Sequence, residues 1–534
     1  MPLRVLVTDD IDRDGVALLE AEPGLRVDEV PTLPVPELLE RIGEYDAIVG
    51  RSATKISGDL LRRGKKLRVV GRAGVGVDNV AMDVATELGV AVINAPAGNT
   101  IAVAELVFGV LISLIRQIPR AAESMRDGRW DRSKLMGTEL KGKTLGIVGV
   151  GRIGSEVAQR AHAFGMDVVG FDPYIADARF TTLRVRRAAS LDELLEEVDV
   201  VTVHTPLTDE TQGLIGRREL ARLKPGAIVA NLARGGIVDD AALVAAIESG
   251  HVRGAALDAY GVEPLPADHP LRAARNVILT PHIGASTAEA QRNVAVDVCL
   301  AVRDALLKGE LSRSMNVAAS NGQWEQLRPA MLVARRAAAV ARAILADMGA
   351  RAPARLTLRC GSDLAGGQQA LLSAAALGAV EGVSEADRLN LINARSVAEG
   401  RGLELVVGES AALPPNGVEV SLRGAMQELA VAGNAPPGAG PRLTRIGAFH
   451  VDVNPRQTLI VLTNRDVPGV IGRVGTVLGD AGVNIAEYHQ ARLAQGGEAL
   501  AVVSVDGTMG GDVRQRLCEL PDVQSATVVH FREG

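Results

Sequence analysis

TLGIVGVGRIGSEVAQRAHAFGMDVVGFD, residues 144–172, is the stretch whose reading decides the fold. It opens on an apolar run, 145–150, bounded by glycine, as a buried parallel strand would be. Gly149, Gly151 and Gly154 follow at G-x-G-x-x-G spacing. Ile153, Val157, Ala158, Ala161 and Phe164 then recur at helical spacing, and a second apolar run, 166–171, ends in Asp172. Each part has a task in a dinucleotide site. Gly149 makes a tight turn, Gly151 lets the backbone approach a pyrophosphate, and Gly154 lets helix and strand pack closely. The free N–H groups of the helix start, at Arg152 and Ile153, face the phosphates. Asp172 can accept both hydroxyls of an adenosine ribose and would repel a 2′-phosphate, which favours NAD over NADP. A lone glycine motif is weak; here strand, helix, second strand and acidic tip come in order.

Working outward, 534 residues suggest roughly three to four domains. The hydrophobic fraction is 47% but aromatics are only 2%, so the cores must be aliphatic and alanine-rich. The net charge of −6 argues against a nucleic-acid partner. Cys299, Cys360 and Cys518 are too scattered for a disulfide framework or a zinc site, and no metal is expected. The chain enters a strand at once, without a signal-peptide pattern. The longest apolar stretch, 101–115, is interrupted by Glu105 and too short to span a bilayer. A cytoplasmic protein without membrane association is expected.

Residues 1–98 alternate short strands (3–7, 47–49, 67–70, 91–93) with short helices (15–20, 35–42, 83–88). Further strands at 200–204, 227–231, 254–258 and 277–280 extend the nucleotide core. The fold class is therefore α/β, with two Rossmann-like or flavodoxin-like parallel-sheet domains and a cleft between them. Residues 283–318 form mainly one helix. Composition then shifts. Residues 330–348 are an Ala/Arg helix, and 406–450, rich in Gly, Pro and Val, read as short strands and turns within an α+β intervening domain. From residue 457 the order is strand, helix, strand, strand, helix, strand, the βαββαβ pattern of a ferredoxin-like domain.

Three later stretches carry chemistry: NLARGG (231–236), ALDAYGVEP (256–264) and TPHIGAST (280–287). Arg234, Glu263 and His282 each lie just beyond an expected strand end, where ligands sit in open α/β sheets. Removing hydride from an alcohol carbon requires a base for the hydroxyl proton, and histidine suits that near neutral pH. A carboxylate partner fixes its tautomer. Arginine can hold a carboxylate and polarise the adjacent carbonyl. The other histidines lack a partner motif, and His204, beside Pro206, is expected to line the cofactor cleft.

Over residues 1 to about 318 these stretches resemble the signatures of the D-isomer-specific 2-hydroxyacid dehydrogenases. The resemblance implies Arg234 as the substrate arginine, His282 as acid/base and Glu263 as its partner. It implies a discontinuous substrate-binding domain (1–98 and 283–318) around an NAD-binding domain (99–282). NTIAVAE (99–105) resembles the hinge and dimer-helix signature, which implies a homo-oligomer, dimer or tetramer. Thr100, Thr205, Pro206, Ala233 and Asp258 match cofactor contacts. RSAT (51–54) and RAGVGVDN (72–79) resemble the substrate loops of the long-form branch that acts on 3-phospho-D-glycerate. Arg51 and Ser52, Arg72, and the Gly74, Val75 and Gly76 backbone are the candidate substrate contacts, with Arg51 the candidate for the phosphate. Trp130, Arg132 and Lys134 resemble a segment that reaches a neighbouring subunit's site.

DVPGV (466–470) and GVNI (482–485) resemble an ACT domain, placed at 451–534 after an intervening domain at 319–450. Asn464, Asp466 and Asn484 are its candidate effector residues, expected to converge at the junction where the sheet pairs edge to edge with a second copy; L-serine is the expected effector. Two departures stand out. Tyr260 occupies a position where many members carry Phe, which is expected to matter little. Asn464 replaces a usual histidine or tyrosine, which bears on which effector binds. Competing readings are a hydroxypyruvate, glyoxylate or 2-oxoglutarate reductase of the same family, a non-catalytic NAD-sensing corepressor, and a formate dehydrogenase, for which a Glu–His pair would have no use.

Overall fold

The computed structural model describes residues 2–317, 324–350, 353–381, 389–408, 413–424, 427–436 and 440–531. Its first sheet has five parallel strands in the spatial order Leu25–Glu29, Leu3–Val7, Ala47–Gly50, Val69–Arg72, Ala91–Asn94. This is the flavodoxin-like order. It reverses between Leu3–Val7 and Ala47–Gly50, so a crevice opens at the carboxyl ends of those two strands. Asp9 and the Arg51–Thr54 loop lie there. The edge strand Leu25–Glu29 has no apolar run and only Leu25 is buried, so the sequence reading passed over it.

The second sheet has seven parallel strands: Val277–Leu279, Val252–Leu257, Ala227–Asn231, Val200–Val203, Thr144–Val148, Asp167–Phe171, Arg186–Arg187. Its order reverses between Val200–Val203 and Thr144–Val148. The glycine turn after Val148 therefore opens onto His204 and Thr205. After the last strand the chain returns to the first lobe as the helix Ala288–Lys308, capped by the Thr287 hydroxyl. Val294, Val298 and Val302 of that helix are buried with Val5, Val7, Val16 and Leu19 in one core. Each such aliphatic side chain contributes roughly 1.5–3 kcal/mol on burial. Gly15 permits the close helix crossing, since a Cβ there would lie 2.6 Å from the Ala295 backbone.

The long helix Trp324–Asp347 covers a six-stranded mixed sheet: Glu404–Val407, Arg355–Cys360, Gly417–Arg423, Glu428–Asn434, Arg442–Ile446, Phe449–Val453. The first pair is parallel and the rest antiparallel. The helix Gln368–Val380 packs on Trp324–Asp347 and is buried on every side from Ala370 onward. With apolar residues all round it has no amphipathic period to betray it in the sequence. Asn390 and Asn393 donate to the carbonyls of Gly89 (2.7 Å) and Glu87 (3.4 Å), tying this segment to the first lobe. The expected boundary at residues 318 and 319 lies outside the described residues.

The last sheet is antiparallel, in the order Ile485–Arg492, Glu498–Val505, Thr458–Arg465, Val523–His530, with helices Val470–Asp480 and Gly511–Cys518. That is the ferredoxin-like arrangement. Cys299, Cys360 and Cys518 are all free thiols. Among the described residues no His/Cys/Asp/Glu group could hold a metal, and no single helix is long and apolar enough to cross a membrane.

Candidate active site

The cofactor crevice is built at the reversal point of the second sheet. Gly149 has φ 92°, and a Cβ there would come 2.8 Å from the His204 carbonyl oxygen. A Cβ at Gly154 would sit 2.1 Å from the Gly149 oxygen, so the helix Arg152–Ala163 can start only with glycine at this point. Above Gly151, by contrast, lies open space. Asp172 is fixed by two amides: its Oδ2 accepts from Val150 N at 2.9 Å and its Oδ1 from Tyr174 N at 3.0 Å. Acceptor capacity remains for ribose hydroxyls. Arg152 and Ile153 form the first turn of the helix, with Ile153 packed on the core.

Four buried polar atoms in this region have no partner: Oδ1 of Asn99, Oγ1 of Thr100, Nδ1 of His204 and Oγ1 of Thr205. Orphans of this kind are rare unless a ligand or water completes them. Together with the space over Gly151 they fit a dinucleotide. His204 donates to or accepts from Thr202 Oγ1 at 3.0 Å, and burial pushes its pKa down to about 4.

Glu263 and His282 line a cavity of about 750 Å³ together with Ser52, Tyr260, Arg272 and Thr280, among others. His282 Nδ1 lies 2.9 and 2.8 Å from the two Glu263 oxygens. Glu263 is itself held, since its Oε1 accepts from Tyr260 N at 3.0 Å. His282 adopts φ 54°, a left-handed conformation costly for a residue with a Cβ. Asp258 holds the loop in that state: its carboxylate accepts from Thr280 Oγ1 (2.6 Å), Ile283 N (2.8 Å) and Gly284 N (2.8 Å). Three of its roughly four acceptor positions are thus engaged within the chain. Asp258, a candidate cofactor contact, thus also braces the His282 loop.

Arg234 leaves the loop after Ala227–Asn231, which Asn231 shapes by accepting from Ala233 N (3.1 Å) and donating to the Arg234 carbonyl (2.8 Å). The Arg234 guanidinium crosses the cleft to Asp78 at 3.2 Å and lies where a Cβ on Gly76 would be, 2.1 Å from Nη2. Arg72 packs the same way against Gly74. Burial, then the charges of Arg234 and Arg51, lower the Arg72 pKa to about 10. Three cations therefore share one end of the cleft, partly offset by Asp78 and Asp9. Arg51 Nη1 donates to Gln291 Oε1 at 3.1 Å. The expected three-amide cradle is reduced: the Gly74 N–H already donates to Arg72 O at 2.9 Å, because the loop closes on itself, leaving Val75 and Gly76.

Two sets of candidate residues lie apart from the cleft or from one another within one chain. Lys134 is exposed, pairs with Asp131 at 3.0 Å and does not line the cavity. Nearby Trp130 and Met136 are 78% and 83% exposed, a strongly apolar surface for an isolated chain. Within one chain Asn464 and Asp466 lie apart from Asn484. Asn464 pairs with Ala499, next to Arg492, whereas Asn484 precedes Ile485, which pairs with Val505. The two groups lie at opposite ends of one strand pair, roughly 20 Å apart at about 3.3 Å per residue. Asp466 instead bonds Arg492 (3.0 Å) and Gly496 N (3.2 Å), and Asn484 bonds Asp506 (2.6 Å).

The sequence reading also missed residues that build the site. Asp9, buried and at φ 65°, accepts from Arg51 N (2.8 Å), Thr54 N (2.9 Å), Thr54 Oγ1 (2.6 Å) and Thr32 Oγ1 (2.8 Å). Asn79 donates to the carbonyls of Arg51 and Thr54 at 3.0 and 2.7 Å. The loop carrying Arg51 is thus clamped through both kinds of backbone group. An aspartate two residues past the strand end Val7, in a parallel α/β pattern, was the signal that could have found it. Tyr260, set aside as a neutral replacement, donates its hydroxyl toward the carbonyls of Leu257 (3.0 Å) and Thr280 (2.9 Å), tying together the strand ends that carry Asp258 and His282.

Comparison with known proteins agrees with this geometry. Residues 108–284 match the family described as D-isomer specific 2-hydroxyacid dehydrogenase, NAD binding domain, and 458–522 match the ACT domain. A D-3-phosphoglycerate dehydrogenase of Bacillus subtilis is 38% identical over 98% of this chain and 99% of its own length. One from Methanocaldococcus jannaschii is 36% identical over 99% of this chain and all of its own. Among solved structures, the D-lactate dehydrogenase of Aquifex aeolicus, complexed with NAD and lactic acid, is 28% identical. It covers 58% of this chain and 97% of its own, with a TM-score of 0.52.

Proposed function

The chain belongs to the D-isomer specific 2-hydroxyacid dehydrogenase family, as an NAD-dependent dehydrogenase with an ACT domain, and on that premise we propose that it oxidises 3-phospho-D-glycerate to 3-phosphooxypyruvate, the first step of L-serine synthesis, under feedback by L-serine. The observation that carries the substrate is the cluster of Arg51, Arg72 and Arg234 beside the Glu263–His282 pair. A lone 2-hydroxy acid offers one carboxylate to three guanidinium groups. A phosphoryl group at the far end of the substrate supplies the missing negative charge and relieves the mutual repulsion that adds to burial in depressing Arg72.

In this reading Arg234 binds the carboxylate and draws electron density from the adjacent carbon–oxygen bond. Arg51, with its loop held by Asp9 and Asn79, and Arg72 bind the phosphoryl oxygens. Glu263 occupies His282 Nδ1, which keeps the proton there and leaves Nε2 as the acceptor for the substrate hydroxyl proton. Bound NAD supplies the acceptor for the hydride leaving the same carbon. As that proton arrives on Nε2, the Glu263 carboxylate stabilises the imidazolium. In the reverse direction the same nitrogen returns it.

The exposed Trp130–Met136 segment and the apolar helix Thr100–Ile115 support a homo-oligomer, dimer or tetramer, in which Lys134 serves a neighbouring cleft. The test of the substrate is a panel of 2-hydroxy and 2-oxo acids, with and without a terminal phosphate, assayed by initial rates with NAD(H). A clear advantage for the phosphorylated three-carbon pair is expected. Equal or better kcat/KM with glyoxylate, hydroxypyruvate or 2-oxoglutarate would overturn it.

A further inference from the structure

A second, smaller cavity lies far from the cleft, where the helix Trp324–Asp347 meets the end of the last strand, Val523–His530. It holds about 70 Å³ and is lined by Arg335, Arg336, Ala339, Arg342, Glu381, His530 and Phe531. The arginines fall at helical spacing, so residues 335, 339 and 342 share one face. Among the described lining residues Glu381 is the one carboxylate, and Arg335 takes both of its oxygens, at 2.9 and 2.6 Å. The Arg336 guanidinium lies 4.2 Å from the Phe531 ring centre. His530 Nδ1 is engaged by Thr458 Oγ1 at 2.9 Å.

Arg342 is left over. Its Nε is buried without a partner, and it has no hydrogen bond or ion pair among the described residues. An arginine cannot shed its charge to escape such a site, and a buried donor left unpaired is costly. Burial lowers its pKa, and the nearby charge of Glu381 opposes that only in part. These features have one economical explanation. We propose that this cavity is a binding site for a small tetrahedral oxyanion, free phosphate or the phosphoryl end of a metabolite, held by Arg342 with Arg335 at its side.

Size supports the choice. At about 70 Å³, against about 750 Å³ for the catalytic cavity, this cavity suits a small group such as one oxyanion. Any larger ligand must leave its remainder outside. Arginine's planar fork of donors suits phosphate oxygens better than a spherical halide. The occupant would also touch both sides of a junction otherwise made by Asp347, which bonds Arg514 at 2.8 Å and Thr527 at 2.6 Å. An anion here therefore braces the terminal domain on the long helix. This site is independent of the reading given to the catalytic cleft.

The test is hydrogen-exchange mass spectrometry of the full chain titrated with inorganic phosphate, and separately with sodium chloride at matched ionic strength. Phosphate, but not chloride, is expected to protect peptides covering 335–342 and 523–531 saturably. Arg342→Gln should weaken that protection about ten-fold to a hundred-fold, as losing a charge-assisted contact does, and leave protection around Arg51 and Arg72 unchanged. Ala339→Leu, which fills the cavity and keeps every charge, should abolish it, and guards against a folding defect in the first variant. A 3-phosphoglycerate arm separates free phosphate from a metabolite's phosphoryl group as the better ligand. Protection confined to the catalytic lobes, or an unchanged response in both variants, would overturn the proposal.

Discussion

Glu263 meets only one nitrogen of His282: both carboxylate oxygens lie within 2.9 Å of Nδ1. The pairing decides which ring nitrogen can take a proton, and it makes the two residues unequal. Replacing His282 with Ala removes the base, and kcat should fall by about 10²–10⁴-fold while NADH affinity, read by fluorescence titration, is retained. Glu263→Gln keeps the hydrogen bond but not the charge. Its kcat loss should be smaller, with a displaced pH–rate profile. Near-normal turnover in His282→Ala would remove it from the role, and an unmoved profile in Glu263→Gln would reject the relay.

Arg51→Ala should separate substrates by charge. Its backbone is held by Asp9 and Asn79, so the loop should survive loss of the side chain. Loss of one charge-assisted contact costs about 1.5–3 kcal/mol, and this should appear in KM for phosphorylated acids and not for unphosphorylated ones. Equal losses on both would make Arg51 a residue of structure alone.

How far the sequence carried the reading depends on whether a signal is local. The glycine turn, Asp172 and the Glu263 and His282 positions were legible because each lies in a short local motif within a few residues of a strand end. Asp9 was not, because its worth depends on Arg51 and Thr54, more than forty residues away, arriving at the same reversal point. Tyr260 was misjudged for a related reason: its ring reads as core, and its hydroxyl matters only once Leu257 and Thr280 are adjacent. The helix Gln368–Val380, buried all round, offered no period to detect. The effector residues depend on more than one chain: loops after the first strand and after the first helix of a ferredoxin-like sheet lie at opposite ends, so they can meet only across a pairing of two copies.

Asp172 should set cofactor choice. Its carboxylate is fixed beside the glycine turn by Val150 N and Tyr174 N, where a 2′-phosphate would meet a negative charge. The ratio of kcat/KM for NAD over NADP should be high in the native chain. It should fall in Asp172→Ser, chiefly by loss with NAD and relief with NADP. A native preference for NADPH would contradict this placement.

His204 gives the fold a pH dependence. Burial lowers its folded pKa to about 4, below the unfolded value of about 6.5. Between these values the unfolded chain binds a proton that the folded chain does not, so stability rises with pH there. The contribution is complete above about pH 6.5 and is lost as pH falls toward 4. The largest loss the shift allows is about 3 kcal/mol. Urea unfolding at pH 7 and pH 5 should show the decline, and His204→Gln should flatten it. An equal decline in that variant would assign it to other groups.

Regulation by L-serine is the test that the ACT geometry sharpens. Within one chain Asp466 and Asn484 sit at opposite ends of the pair formed by Ile485–Arg492 and Glu498–Val505. No single ligand of serine's size can reach both. Ile485–Arg492 is, however, an edge strand of its sheet, and an edge invites a second strand. Two copies related by a twofold axis would pair this strand with itself in opposite directions. That places Asn484 of the partner subunit beside Arg492 and Asp466, and makes two equivalent sites per pair. Asp466 can then accept from the ammonium, and Asn484 can meet the carboxylate. For inhibition, serine must bind the inactive arrangement better than the active one. Asp466→Ala and Asn484→Ala should each abolish inhibition in the full chain. Co-expressed as mixed dimers, they should regain one intact site, because the two lesions fall in the same pocket of the pair. Inhibition that persists in either variant alone would place the effector elsewhere, and mixed dimers with no recovery would rule out a site shared between copies.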